Sequence, residues 1–342
     1  MINTRQCSVF DWLIVIRMNR WNRRLLLIAV CMSVSSDGVA GERSPMAPAV
    51  AKTFRAPDGR NTHVRTGDPR RAAATIPNLK PLHRKLGKPK PGDWLDQHKE
   101  AGQTFREYLQ VRAATPTGRR TVIYVQPLGE FTSQQRQIVE LSAEYLGIYM
   151  NRPVRLLEDL PLTVIPGNAR RTHPQWKVKQ ILTTYVLNDV LKPRLPQDAA
   201  AYIAFTAVDL WPGRGWNFVF GQASLRNRVG VWSINRNGDP SRDAAAFRLC
   251  LRRTLKTATH ETGHMFSMPH CTAYECNMCG SNHREESDRH PLYLCPECHA
   301  KVCWATAAAP VARYRRLAQF CEQHGLSEEQ AYFINAISRL NR

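Results

Sequence analysis

The stretch His260-Glu261-Thr262-Gly263-His264-Met265-Phe266-Ser267-Met268-Pro269-His270 holds three imidazoles and one carboxylate. If its first five residues are helical, His260 and His264 lie on one face a single turn apart, and each can present a neutral ring nitrogen to the same metal ion. His270 joins them only if the chain reverses sharply after the helix. Three protein ligands leave the fourth tetrahedral position for water, and that open position separates a catalytic zinc from a structural one. Zinc lowers the pKa of a bound water to about 7, and Glu261 stands beside the first ligand to take its proton as it attacks a polarised carbonyl. A lone His-Glu-x-x-His also arises by chance on amphipathic helices, so the third histidine and the cysteines beyond it carry the weight.

Those cysteines come in two pairs, Cys271 with Cys276 and Cys295 with Cys298, the second pair within Cys-Pro-Glu-Cys. Paired thiols at short gaps are the pattern of a closed zinc site, in which thiolates saturate the ion. Two metal sites then abut, because Cys271 is the residue immediately after His270. Seven ligands are what two zinc ions with one open position need, so His283, His290 and His299 are read as hydrogen-bonding residues. Cys7, Cys31, Cys250, Cys279, Cys303 and Cys321 have no assigned partner, and Cys250 reads as core packing.

The run His260-Glu-x-x-His264, His270-Cys271, Cys276-x-Met278, Gly280-Ser-Asn-His-Arg-Glu-Glu-Ser-Asp-Arg and Cys295-x-x-Cys298 resembles the archaemetzincins, metzincin-type zinc metalloproteases. Trp216–Leu225 and Val229–Ser233 resemble the same family, and the match runs from about Thr121 to Arg316. The resemblance implies an α/β, metzincin-like zincin domain with a mixed twisted sheet, an active-site helix, a Met-turn at Met278 and C-terminal helices. It implies two zinc ions per chain, one on His260, His264 and His270 and one on Cys271, Cys276, Cys295 and Cys298, with Glu261 as general base and a peptide or protein as substrate. One position departs from the family pattern. Ser267 stands where glycine is usual, at a point where the chain must leave the helix, often through a left-handed residue in which a Cβ costs roughly 1–2 kcal/mol.

Composition divides the chain of 342 residues. Of the formal net charge of +20, the first 120 residues carry +13. Residues 41–115, rich in Pro, Arg, Gly and Thr at their start, read as a basic, largely disordered extension or linker, and 116–342 as the peptidase domain. Without interleaved aromatics or a nucleic-acid motif, the basic excess reads as a solvated segment, and no specific nucleic-acid partner is expected. Residues 1–40 have the layout of a secretory signal: Arg17, Arg20, Arg23 and Arg24, then apolar Leu25–Met32, then Gly38-Val39-Ala40 before Gly41. Export, to the periplasm or beyond, is the expectation, with the cytoplasm as the alternative because thiolate ligands suit a reducing compartment. The same segment offers membrane contact, although its apolar run is shorter than the ~20 residues that span a bilayer. A monomer is expected.

Periodicity places buried strands at Thr121–Gln126, Val154–Leu157 and Tyr202–Val208, with further strands at Phe218–Phe220 and Val229–Ile234. One of these is expected to be an edge along which an extended peptide binds. Helices are expected from an N-cap at Ser133 to Gly147, across Val178–Leu191, from a cap at Asp243 through His264, from Val311 to His324, and from a capping box at Ser327 and Gln330 to Leu340. No phosphate loop, nucleophile elbow or dinucleotide fingerprint occurs, which excludes nucleotide-dependent and serine-hydrolase mechanisms. Two functions remain: a zinc peptidase, and a catalytically weak zinc-stabilised module that only binds peptide. Glu261 favours the first, since a chain that had lost catalysis was free to lose this residue.

Overall fold

Four parallel strands form the centre of the main sheet: β2 (Val122–Leu128), β3 (Val154–Leu157), β6 (Ala199–Thr206) and β9 (Val229–Ser233). In the computed structural model, which describes residues 48–55, 66–116, 118–224 and 227–342, β1 (Val50–Phe54) adds antiparallel to β3 and β8 (Gly221–Ser224) antiparallel to β9. The spatial order is β1-β3-β2-β6-β9-β8. Every residue of β2 and β6 is buried, as expected for strands covered on both faces. Their side chains alternate between two cores. Ile123, Val125, Ile203 and Phe205 point into the larger one, and Val122, Tyr124, Tyr202 and Ala204 into the smaller. A second sheet orders β4 (Arg170–Thr172), β5 (Lys179–Leu182) and β7 (Asp209–Trp211).

The larger core is closed by helix Ser133–Met150, by the active-site helix Ala244–Met265 and by the C-terminal helices Pro296–Thr306, Pro310–Gln323 and Ser327–Leu340. The mixed α/β class with C-terminal helices therefore holds. Asp243 caps the active-site helix, its carboxylate accepting from Ala246 N at 2.7 Å, and Cys250 is buried in the core that this helix covers.

Several boundaries differ from those that periodicity predicts. Helix Ser133–Met150 starts one residue earlier in effect, because Thr132 is the cap and shares a capping box with Gln135. It also runs through Gly147 to a left-handed cap at Asn151; Gly147 instead makes room for the returning chain, since a Cβ there would lie 3.3 Å from Arg152 O. The segment expected as one helix over Val178–Leu191 opens as β5, whose Gln180 and Ile181 pair with Asp209 and Leu210, before turning helical at Thr183. The expected strand at Phe218–Phe220 lies instead at β8. Ser327 is inside its helix, and buried Leu326 occupies the cap with no side-chain bond.

The largest correction concerns residues 41–115. Their described part is not a disordered linker. β1 joins the main sheet, and helices Pro69–Ala73, Thr75–Leu79 and Phe105–Gln110 bury Ala72, Leu79, Phe105 and Tyr108 in the same core as the active-site helix. Low apolar content misleads here because the segment builds no core of its own. A few side chains suffice when each enters a core already formed, where burial contributes roughly 1.5–3 kcal/mol apiece. The signal-like residues 1–40 lie outside the described residues. Among the described ones, no helix is long and apolar enough to cross a membrane.

Candidate metal centres

The active-site helix brings His260 and His264 onto one face, and the turn after it returns His270 to them. Their ring centroids are 4.6, 4.9 and 5.3 Å apart, and one ligand nitrogen from each lies within 4.8 Å of the others. Two of the rings are oriented by carbonyl oxygens: His260 Nδ1 donates to Asn277 O at 2.7 Å and His264 Nδ1 to Met268 O at 2.6 Å. Because a carbonyl only accepts, Nδ1 carries the hydrogen and Nε2 is left free as a ligand. Burial first, and then mutual repulsion, push the rings toward the neutral form, His260 well below its ordinary range and His264 to about 3. Neutral imidazoles with Nε2 converging are the donor set that zinc takes. Glu261 is part-exposed beside them, and burial lifts its carboxyl to about 7.

The helix ends in a Schellman motif. Met268 N donates to Gly263 O at 3.1 Å and Ser267 N to His264 O at 2.8 Å. Ser267 is the left-handed residue of that motif, with φ of 64°. Ser267 thus makes a left-handed turn that glycine makes without a Cβ penalty. The serine compensates through its hydroxyl, which accepts from Ala114 N at 2.9 Å. Below the helix, Cys271 N donates to Met278 O at 2.7 Å, and Asn277 bonds back to Thr259 Oγ1 at 2.8 Å. Met278 Sδ presses against the helix at Gly263, where a Cβ would sit 2.6 Å from the sulfur. Glycine within His-Glu-Thr-Gly-His therefore serves the packing of this methionine.

Cys271, Cys276, Cys295 and Cys298 come together from the chain after His270 and from the start of helix Pro296–Thr306, with their sulfurs within 4.8 Å of one another. All four are buried. Cys295 caps that helix, its sulfur accepting from Cys298 N. Cys279, left unassigned by its spacing, lies beside this cluster with its thiol directed at Tyr274 O, 3.2 Å away, and is outside the group of four. A third group, Asp93, His283 and Glu286, is already engaged: Glu286 accepts from Trp94 N and Asn282 N, Asp93 from Lys90 N and Arg289, and His283 caps helix Arg284–Arg289. His283, which the family resemblance includes, is thus a helix cap. His299 is fully buried against Tyr314 and Arg313 and is a core residue.

Sequence reasoning missed Glu100. Its carboxylate accepts from His270 Nδ1, with both oxygens at 3.0 Å. Burial pushes this carboxyl up, and the bond and charge of His270 more than offset that and hold it below its ordinary value. Trp94 stands edge-on to the same imidazole, with ring centroids 4.9 Å apart. The one available signal was weak, a Trp and a Glu in an otherwise basic segment.

Comparison with known proteins points to one family. The model of Peptidase family M54 matches residues 201–303. Archaemetzincin-2 of Homo sapiens is 33% identical over 263 residues, covering 68% of this chain and 72% of the human protein. The archaemetzincin of Thermococcus kodakarensis is 40% identical over 109 residues, covering 30% of this chain and 56% of its own length. The crystal structure of archaemetzincin from Archaeoglobus fulgidus complexed with malonate is 29% identical, covers 53% of this chain and 99% of that one, and superposes with a TM-score of 0.41. With a third of positions identical across two thirds of both chains, this protein belongs to the archaemetzincin family and is a zinc metallopeptidase.

Proposed function

We propose that His260, His264 and His270 hold the catalytic zinc, that Glu261 is the general base, and that Cys271, Cys276, Cys295 and Cys298 hold a second, structural zinc. The observation that carries this reading is the convergence of three imidazoles, two with Nδ1 bound to carbonyls, with Glu261 next in the chain to the first of them. Zinc at that site would supply Lewis acidity toward the scissile carbonyl and toward a water. Glu261 takes a proton from the attacking water. It holds that proton while the carbonyl carbon becomes tetrahedral, and then delivers it to the departing amine nitrogen as the C–N bond breaks. A carboxyl lifted to about 7 suits both transfers, since it neither keeps nor refuses the proton at neutral pH. Met278, packed on Gly263, would be the Met-turn residue, supporting the helix that carries His260 and His264.

The substrate is a peptide or protein in extended form. The edge strand β8, which among the described residues pairs with β9 alone in its sheet, offers backbone donors and acceptors to such a chain. Glu261→Gln is expected to keep both zinc ions and the fold and to lose hydrolysis by at least ~100-fold. Undiminished turnover by the variant would place the base elsewhere.

A further inference from the structure

Two of the three histidines are oriented by backbone carbonyls close to them in sequence, whereas His270 is oriented by a side chain 170 residues away. That side chain belongs to a strap, residues 84–114, which crosses the outside of both metal clusters. The strap bonds to the chain it covers at each step. Leu86 N donates to Ala273 O and Glu275 N to Arg84 O; Trp94 N donates to Glu286; Thr272 Oγ1 donates to Ala101 O; Phe105 N donates to Glu297 Oε2 at 2.6 Å. Tyr108 Oη then reaches Phe266 O at 2.6 Å, and Ala114 N reaches Ser267 Oγ at 2.9 Å. Two glycines let it lie this close. A Cβ on Gly102 would meet Thr272 Oγ1 at 2.2 Å, and one on Gly280 would meet the Trp94 ring at 2.4 Å.

We propose that Glu100 is a positioning residue of the histidine site: its carboxylate binds the Nδ1–H of His270 and thereby presents Nε2 to the metal. The inference rests on the reading that the three histidines hold the catalytic zinc. His270 comes after a helix end and a left-handed residue, so its backbone alone leaves the ring free to rotate, and a carboxylate on Nδ1 removes that freedom while making the ring a better donor. Glu100 and His270 side chains are 10% and 15% exposed, so solvent screens the contact little. The segment that composition marks as a linker therefore completes the catalytic centre.

The test uses the full chain loaded with zinc, and reads the release of each ion to a chromogenic chelator. Glu100→Ala is expected to release the more labile zinc ~10- to 100-fold faster, with kcat reduced more than KM is raised and the slower zinc unaffected. Glu100→Gln keeps an oxygen that accepts from Nδ1 but loses the charge, and is expected to fall between the two. Glu297→Gln weakens the strap's bond from Phe105 N by removing the charge, without touching His270, and is expected to release zinc as the wild type does. Wild-type release by Glu100→Ala, or equal acceleration by Glu297→Gln, overturns the proposal. If Glu100→Ala does not fold, Glu100→Gln decides, because wild-type release by that variant also overturns it. His260→Ala separates the two levels. Retention of both zincs by His260→Ala sinks the histidine assignment itself, whereas loss of one zinc there with no change in the Glu100 variants sinks only the positioning role.

Discussion

The three histidines and the four cysteines lie side by side in the chain, yet they differ in ligand number and in exposure. The cysteine cluster is fully buried and offers four sulfurs, enough to complete a tetrahedron. The histidine cluster is only partly buried and offers three nitrogens. The peptide bond between His270 and Cys271 divides them. On the proposed assignment, an ion held by the four sulfurs would have no room for a substrate atom and one held by the three nitrogens would have a position to spare, so ligand number would separate a structural from a chemical role.

The comparison is easiest to break at the cysteines. Structural zinc contributes folding free energy directly, on the order of 10 kcal/mol in small zinc domains. Cys276→Ser, which puts a poor ligand in a buried position, is expected to lose one zinc and most of the cooperative fold, while His264→Ala loses the other zinc and the activity and retains the fold. Metal analysis with thermal melting of both variants checks this. A Cys276→Ser chain that melts like the wild type with two zincs bound removes the structural role.

Acid sharpens the contrast at a smaller scale. His264 is depressed to about 3, and His83, bonded to Tyr332 next to the cysteine cluster, and His290 are each depressed to about 4, all chiefly by burial. Unfolded histidine takes a proton near pH 6.5, so below that pH the unfolded chain binds more protons than the folded one. Stability is then full above pH 6.5 and falls as the pH drops toward 4, by up to about 1.4 kcal/mol per pH unit for each such group. Protein stripped of the histidine-site zinc alone is expected to show a urea midpoint that declines between pH 6.5 and 5; a flat midpoint there shows that these rings are not held neutral.

The smallest effect is at Ser267. Ser267→Ala keeps the left-handed strain and loses the bond from Ala114, which is expected to cost about 1 kcal/mol. Ser267→Gly loses the same bond but relieves the strain, so the two changes nearly offset and its stability is expected within about 0.5 kcal/mol of wild type. Denaturant midpoints of the pair decide the matter. An alanine variant as stable as the glycine variant is incompatible with a left-handed residue at this position.

Local chemistry was legible in the sequence because spacing dictates it. His260 and His264 four residues apart, two cysteines framing Pro296-Glu297, and Asp243 before a helical period all act through neighbours within a turn, and the structure brings each pair of side chains together and sets Asp243 at the helix N-cap. The all-buried strands β2 and β6 were legible as short apolar runs for the same reason.

What only the tertiary structure decided is everything that depends on distant residues meeting. Gln180 is helical by periodicity and extended in fact because β7 supplies a strand partner. Residues 66–116 lack the apolar content to fold alone, and they fold because the peptidase core offers Leu79, Phe105 and Tyr108 a place. Ser267 departs from its family's pattern for a reason found at Ala114, and His270 takes its orientation from Glu100. Sequence spacing encodes the ligands, since a helix turn is a local length; their orientation is set by contacts across the chain, which no local length encodes.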